Sequence, residues 1–263
     1  MVTPKIFTSG IWQTNSSVLV GGIGCVVVDP AYFPTELLSI ADCASAHGGA
    51  QAVVFTHGHW DHIMGHTALP AAPVLMSANL AQAITSGDRR ASEYLQEAHD
   101  FDSRWYVPRP AGHAWPVNRQ PLFDDDVIEI AGLRIAVLQL TGHSPDGLGL
   151  VVDGTLLVGD HLSPCEIPFV DDAVAYVATL RRLDLLMRSD VHCVVPGHGS
   201  MLTVSDARRI SQEDQAYLAQ LLDAAAAHDV ARGLAIELPR AAAVVGMRDQ
   251  HAKNCARLGL VAG

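Results

Sequence analysis

Seven side chains in this sequence are of the kinds that bind cations and move protons, and four of them stand within six residues: His57, His59, Asp61 and His62. They lie in the stretch FTHGHWDHIMGH, residues 55–66. A buried imidazole or carboxylate without a partner is costly, and a solvated loop has no reason to favour histidine, so a metal site accounts for the composition. In an extended segment residues i and i+2 point the same way, so His57, His59 and Asp61 converge if the stretch stays extended. In a helix His57 and His59 would stand about 200° apart. His62 faces elsewhere, so the run can serve two centres, with His57 and His59 in one and Asp61 and His62 in the other. His62 and His66 are also spaced as a helical pair, but His66 is expected to open the following helix. The remaining donors are His143 in LTGHSP, Asp160 in LLVGDH and His198 in VVPGHGS. Each follows an apolar strand pattern and sits beside glycine, which lets the backbone turn sharply and an ion approach closely.

These donors need rigid elements behind them, and the pattern supplies strand ends. Residues 1–30 read as short strands, with Ser16–Val20 and Cys25–Asp29 flanking a GGIG turn. Pro34–Gly49 reads as a helix with proline at its start and glycine at its stop, and Ala52–Phe55 as a short buried strand ahead of the histidine run. Residues 79–106 read as mostly helical and Val107–Pro121 as irregular. Asp126–Leu140 and Leu148–Asp160 read as strand-turn-strand units, Asp172–Leu186 as an amphipathic helix and His192–Gly199 as a strand ending in a loop. Ser205–Asp229 reads as a long helix with Ser205 as N-cap, and the alanine-rich remainder as helical. The strand–helix alternation occurs twice, which suggests two similar layered halves.

The chain has 263 residues, 49% of them apolar and 17% charged, a balance that excludes disorder. A net charge of −11 opposes phosphate backbones, so no nucleic-acid partner is expected. Five scattered cysteines without a Cys-x-x-Cys pair suggest reduced thiols in a cytoplasmic protein. The first residues show no basic run followed by a long apolar one, so no signal peptide is expected. No stretch reaches the ~20 apolar residues of a membrane span, so no membrane partner is expected either.

HGHWDH resembles the His-x-His-x-Asp-His signature of the metallo-β-lactamase fold superfamily. The resemblance extends to His143, Asp160 and His198 and to VVVDP, which contains Asp29. It implies an α/β fold, a four-layer αββα sandwich over residues 1–204, with a helical C-terminal extension, residues 205–263, packed on it. It further implies that His57, His59 and His143 hold one metal, that Asp61, His62 and His198 hold a second, and that Asp160 bridges them. Asp61 and His198 are also the residues to which it gives catalytic roles. Asp29 would fix a ligand through hydrogen bonds. Imidazole and carboxylate without thiolate suit two zinc ions, with iron or manganese as alternatives. A bridging hydroxide would then attack a carbonyl.

The implied reaction is hydrolysis of a thioester, lactone or other ester of a small molecule. A glutathione thioester is disfavoured, because the C-terminal region is sparsely basic. The alternatives are a mononuclear iron persulfide dioxygenase, a β-lactam hydrolase, and a binding protein that has lost its metals. Around the donors, Trp60 is expected to form a pocket wall. Phe101, Trp105 and Tyr106 are candidates for a lid, with ordinary packing as the competing reading. Lys253 and Arg257 read as a solvated helix face that could meet a substrate carboxylate. Cys165 reads as structural, and His47, His99, His113, His161, His192, His228 and His251 as surface or cap residues, with lining of the site an equal reading for His161. Oligomeric state is not legible in the sequence.

Overall fold

Strands in which runs of Val, Leu and Ile are frequent, separated by turns rich in glycine and aspartate, build two six-stranded sheets. The computed structural model describes residues 3–240 and 245–261. The first sheet takes β1 (Lys5–Thr8), β2 (Asn15–Val20), β3 (Cys25–Val28), β4 (Ala50–Val54), β5 (Val74–Ser77) and β6 (Arg119–Leu122), in that spatial order. β1, β2 and β3 pair antiparallel, and β3 to β6 parallel. Parallel neighbours need crossovers, and these are α1 (Pro34–Ala46), the short α2 (Trp60–Ile63), and α3 (Ala78–Ser86) with α4 (Arg89–Trp105).

The second sheet takes β7 (Val127–Ile130), β8 (Leu133–Gln139), β9 (Leu148–Val152), β10 (Thr155–Leu157), β11 (Cys193–Val195) and β12 (Leu202–Thr203). Their spatial order is β12-β11-β10-β9-β8-β7. The crossover between the parallel pair β10 and β11 is α5 (Ala173–Leu186). Then come α6 (Val204–Ala226), α7 (Val230–Leu234) and α8 (Met247–Arg257).

Three apolar clusters define the layers. One joins α1, α3 and α4 to the first sheet through Ile40, Leu80, Ala98, Val53 and Phe55. A second lies between the sheets, built from Val26, Val54, Ile135, Leu150 and Val195. The third joins the second sheet to α5, α6 and α8 through Leu180, Ile210, Leu218 and Cys255. Alternation along the strands makes this work: Val27 and Val53 face the first helical layer while Val26, Val28 and Val54 face the opposite sheet. Each fully buried Val or Leu contributes about 1.5–3 kcal/mol. The outcome is the expected αββα sandwich with C-terminal helices.

Several expectations change in detail. The helical reading of 79–106 resolves into two helices, because Gly87 ends α3 in the left-handed region (φ 68°) and Asp88 caps α4. The long C-terminal helix starts earlier than expected. Its N-cap is Thr203, whose hydroxyl accepts from the Asp206 amide, so Ser205 lies inside the first turn. The irregular 107–121 segment ends in β6, where Pro121 is tolerated because β6 is an edge strand. His251 and His161 are buried, not on the surface. All five cysteines are free. Residues 241–244, part of the alanine-rich run read as helical, lie outside the described residues. Among the described residues no helix is long and apolar enough to cross a membrane.

Candidate metal centre

Every donor singled out in the sequence lies at one edge of the sandwich, on a segment that leaves the end of a strand. β4 runs into His57 and His59, β8 leads to His143, β10 to Asp160 and β11 to His198. The histidine run is not extended throughout. His59 is the last extended residue (ψ 143°) and caps α2, so Asp61 and His62 sit on a helical turn. That turn takes Asp61 away from the first pair of histidines and brings it to His62 and His198.

Two groups of donor atoms result. His57, His59, His143 and Asp160 offer atoms all within 4.8 Å of one another, and so do Asp61, His62 and His198. In the first group His59 Nδ1 lies 2.9 Å from both His57 Nε2 and His143 Nε2. Asp160 stands between the groups. Its Oδ2 is 3.4 Å from His57 Nε2, 3.3 Å from His143 Nε2 and 3.2 Å from His198 Nε2, and its Oδ1 is 3.2 Å from His62 Nε2.

Neighbours fix which nitrogen each ring presents. His62 Nδ1 donates to Asp29 Oδ2 at 3.0 Å, and His198 Nδ1 to the Trp12 carbonyl at 3.1 Å. Asp29, with φ 47°, also accepts from the Thr56 amide at 2.7 Å and the Thr56 hydroxyl at 2.5 Å. His57 Nδ1 lies 3.1 Å from that same hydroxyl oxygen. The Thr14 hydroxyl donates to Asp61 Oδ2 at 2.9 Å. Thr14 and Thr56 were not singled out in the sequence. Each is an ordinary strand-end threonine, and Thr14 is joined to Asp61 only by folding.

Glycine makes the close packing possible at two points. A Cβ on Gly197 would lie 2.0 Å from Asp160 Oδ1, and one on Gly142 (φ 114°) would lie 2.3 Å from the Tyr176 backbone.

This donor set fits a divalent cation. Three imidazole nitrogens aimed at one point cannot satisfy one another, since a neutral ring has one proton and one lone pair. Burial, with His57 and His143 beside it, holds His59 well below the usual histidine range, so it keeps a lone pair. In the other group burial works downward on His198, but Asp160 and Glu166 outweigh it and push the ring up to about 10. The carboxylates there call for positive charge, which a cation supplies. Asp160 Oδ1 and His143 Nδ1 are buried without a hydrogen-bond partner. All donors are nitrogen or oxygen. Burial pushes the Cys165 thiol up, which leaves it a packing residue.

Two cavities lie on this side of the sandwich, and the first of them is lined by donors. One, of about 590 Å³, is lined by His59, His143, Arg90, Tyr94, Lys253 and Arg257. Thus Lys253 and Arg257 are exposed, as read, yet they face the centre. Asn254 on α8 lines the same cavity, and it anchors the helix by donating to the Pro168 carbonyl and accepting from the Val170 amide. The other cavity, of about 640 Å³, is lined by Trp12, Phe33, Trp60, Phe101 and Trp105. Trp60 is both wall and packing residue, 8% exposed and in edge contact with Tyr32. Tyr106 is 92% exposed and lines neither cavity.

Of the other histidines, His66 turns away, with Nδ1 on the Ile63 carbonyl and its ring against Phe55. His161 is buried with Nε2 unpartnered, its ring 6.3 Å from His143. Glu166, not singled out in the sequence, is buried nearby, and burial pushes its carboxyl up to about 7.

Similarity to known proteins agrees with this geometry. Over 145 residues the chain is 30% identical to a hydroxyacylglutathione hydrolase of Vibrio cholerae, covering 52% of this chain and 42% of that one, so less than half of the relative's length is matched. Among solved structures, a metallo-beta-lactamase family protein from Thermus thermophilus superposes with TM-score 0.64 at 20% identity, over 98% of this chain and 91% of that one. The protein TTHA1623, solved in a di-iron-bound form, superposes with TM-score 0.59 at 24% identity, over 78% of this chain and 98% of that one. An inverting sec-alkylsulfatase from Pseudomonas sp. reaches TM-score 0.70 at 15% identity, over 94% of this chain and 48% of its own length. These likenesses show the fold. The sequence profile described as the metallo-beta-lactamase superfamily matches residues 9–198, from the loop before β2 to His198 itself, and on that match the chain belongs to this superfamily.

Proposed function

We propose that the protein is a dinuclear metal-dependent hydrolase that cleaves a thioester, lactone or other ester bond of a small molecule. The observation that carries this reading is the position of Asp160, within 3.4 Å of donor nitrogens in both groups. His57, His59 and His143 would hold one cation and Asp61, His62 and His198 the other, with Asp160 shared. Zinc suits these donors first, with iron or manganese as alternatives. Such a pair supplies an acidified water and a polarised carbonyl oxygen.

The chain's own residues do the rest. Asp29 and the Trp12 carbonyl hold His62 and His198 with Nε2 inward. Thr14 steadies Asp61 by donating to its Oδ2. Arg90, Lys253 and Arg257 line the cavity together with Glu93, Glu97 and Asp171, and Asp171 already pairs with Arg90 and Arg257.

The test is elemental analysis of the purified protein together with a hydrolysis screen over thioesters, lactones, simple esters and β-lactams. Two divalent ions per chain and chelator-sensitive turnover of an ester or thioester are expected. One iron with oxygen uptake, or metal content near zero, would sink the proposal.

A further inference from the structure

The turn between β1 and β2 reaches one donor group and not the other. The Trp12 carbonyl accepts from His198 Nδ1 at 3.1 Å, and the Thr14 hydroxyl donates to Asp61 Oδ2 at 2.9 Å. Among the described residues no hydrogen bond from this turn runs to His57, His59 or His143.

The turn does not hold its shape alone. Trp12 and Gln13 both have left-handed backbones (φ 46° and 60°), a conformation that is unfavourable for such residues and persists only where the surroundings impose it. On one side the surroundings are the loop that carries His198. There the Gly199 amide donates to the Gln13 carbonyl at 3.0 Å and the Asn15 amide to the Gly197 carbonyl at 2.6 Å. On the other side stands Glu36, in the first turn of α1. Its Oε1 accepts from the Gly10 amide at 2.8 Å. Its Oε2 accepts from the Ser9 hydroxyl at 2.7 Å and from the Tyr32 and Phe33 amides at 3.1 Å each.

A glutamate at this place in a helix ordinarily takes the N-cap amide alone. Glu36 takes that amide and three donors more, two of them from residues 26 and 27 positions away. Ser9 passes the hold inward, because its Oγ also accepts from the Ile11 amide at 3.1 Å. Ser9, Ile11 and Thr14 are buried, so a shift at one is felt at the next. Burial works upward on the Glu36 carboxyl, but hydrogen bonds from Gly10, Ser9, Phe33 and Tyr32 outweigh it and hold it below its usual range. Bonds to a charged acceptor are the strong ones.

We infer that Glu36 is a positioning residue for the group Asp61, His62 and His198: by clamping the turn to α1 it sets the Trp12 carbonyl and the Thr14 hydroxyl, and through them the affinity for the second cation but not for the first. It acts through the turn, not on the donors directly. The inference rests on the dinuclear reading.

The experiment titrates the zinc-loaded protein with a chromophoric chelator, in the parent, Glu36→Gln, Ser9→Ala, His198→Ala and the Glu36→Gln/His198→Ala pair. Glutamine keeps the shape of the side chain, but its NH2 cannot accept, so at least one donor loses its partner. The parent should release two ions with two constants. The constant that His198→Ala abolishes should weaken about tenfold in Glu36→Gln and about threefold in Ser9→Ala, with the other within twofold. Turnover lost in Glu36→Gln should return as zinc is raised, and the melting temperature at saturating zinc should stay near the parent's. In the His198→Ala background Glu36→Gln should change zinc release no further. Equal weakening of both constants, or a lower melting temperature with both constants unchanged, overturns the inference, leaves Glu36 a helix cap and leaves the dinuclear centre standing. A single ion in the parent overturns the dinuclear reading. The inference then survives only if that ion is lost in His198→Ala and weakened in Glu36→Gln, and falls otherwise.

Discussion

The two halves of the centre are built by opposite means. The N-terminal half draws His57, His59, Asp61 and His62 from one strand end and one helical turn. Its geometry is local, and its main outside support is Asp29 at the end of the neighbouring strand. The C-terminal half draws His143, Asp160 and His198 from three separate strand ends. There each residue depends on tertiary packing: Gly142 against Tyr176, Gly197 against Asp160, and Asn15 donating to the Pro196 and Gly199 carbonyls. A short stretch can preserve a local constellation, whereas a distributed one survives only while two layers stay in register.

Substitutions can break or sharpen that contrast. The largest effect is expected for His59→Ala, which removes the nitrogen closest to two others. Bound metal, read by elemental analysis, should fall sharply and turnover by about a thousandfold, while the melting profile of the metal-stripped protein changes little. Unchanged turnover would refute the ligand assignment.

Gly197→Ala probes the distributed half. Its Cβ would overlap Asp160 Oδ1 and crowd the Gly159 backbone 3.0 Å away. Displacing Asp160 by an ångström or more should lower turnover about a hundredfold, and the proposed sharing of Asp160 predicts that metal affinity falls in both groups. Loss confined to one ion would show that Asp160 is not shared. Asp29→Asn tests the outside support of the local half. The amide can no longer accept from both Thr56 and His62 as a charged group, and affinity or rate should drop ten- to a hundredfold. A drop below twofold would show that the turn holds His62 unaided.

The smallest effect on chemistry is expected away from both halves. Asp102 on α4 accepts from Arg109 Nε at 2.5 Å, His113 Nε2 at 2.7 Å and the Tyr32 hydroxyl at 2.8 Å, and so ties the 107–113 segment beneath the aromatic wall. Burial alone would raise the Asp102 carboxyl, but hydrogen bonds from Arg109, Tyr32 and His113 outweigh it and hold it below the usual range. A depressed carboxyl stabilises the fold above its unfolded value near 4 and loses that contribution as pH falls through the folded value. Asp102→Asn should therefore cost about 3 kcal/mol near neutral pH, and thermal melts should show the gap from the parent closing below about pH 4. A gap independent of pH would exclude the charge as its cause.

Much of the centre was legible because its donors are chemically distinctive and sit beside glycine at strand ends. Asp29 could be read for the same reason. Thr14 and Thr56 could not, since a threonine carries no mark of the partner that folding gives it. The cavities show the same limit. Arg90, Tyr94, Glu97, Phe101 and Trp105 recur at helical spacing along α4 and form one wall across both cavities. The spacing stands in the sequence, but what that face looks onto does not. Strands β5, β6 and β12 were missed because short strands completed by neighbours carry little periodicity of their own.

By itself the sequence determined most of the element types and singled out the candidate donors, since hydrophobic period and side-chain chemistry are local properties. Only the tertiary structure decided that His59 ends the extended run, that Asp160 lies between two donor groups, and that α4 and α8 face the centre. Those outcomes depend on contacts between residues far apart in the chain, and such contacts are set by how whole layers pack.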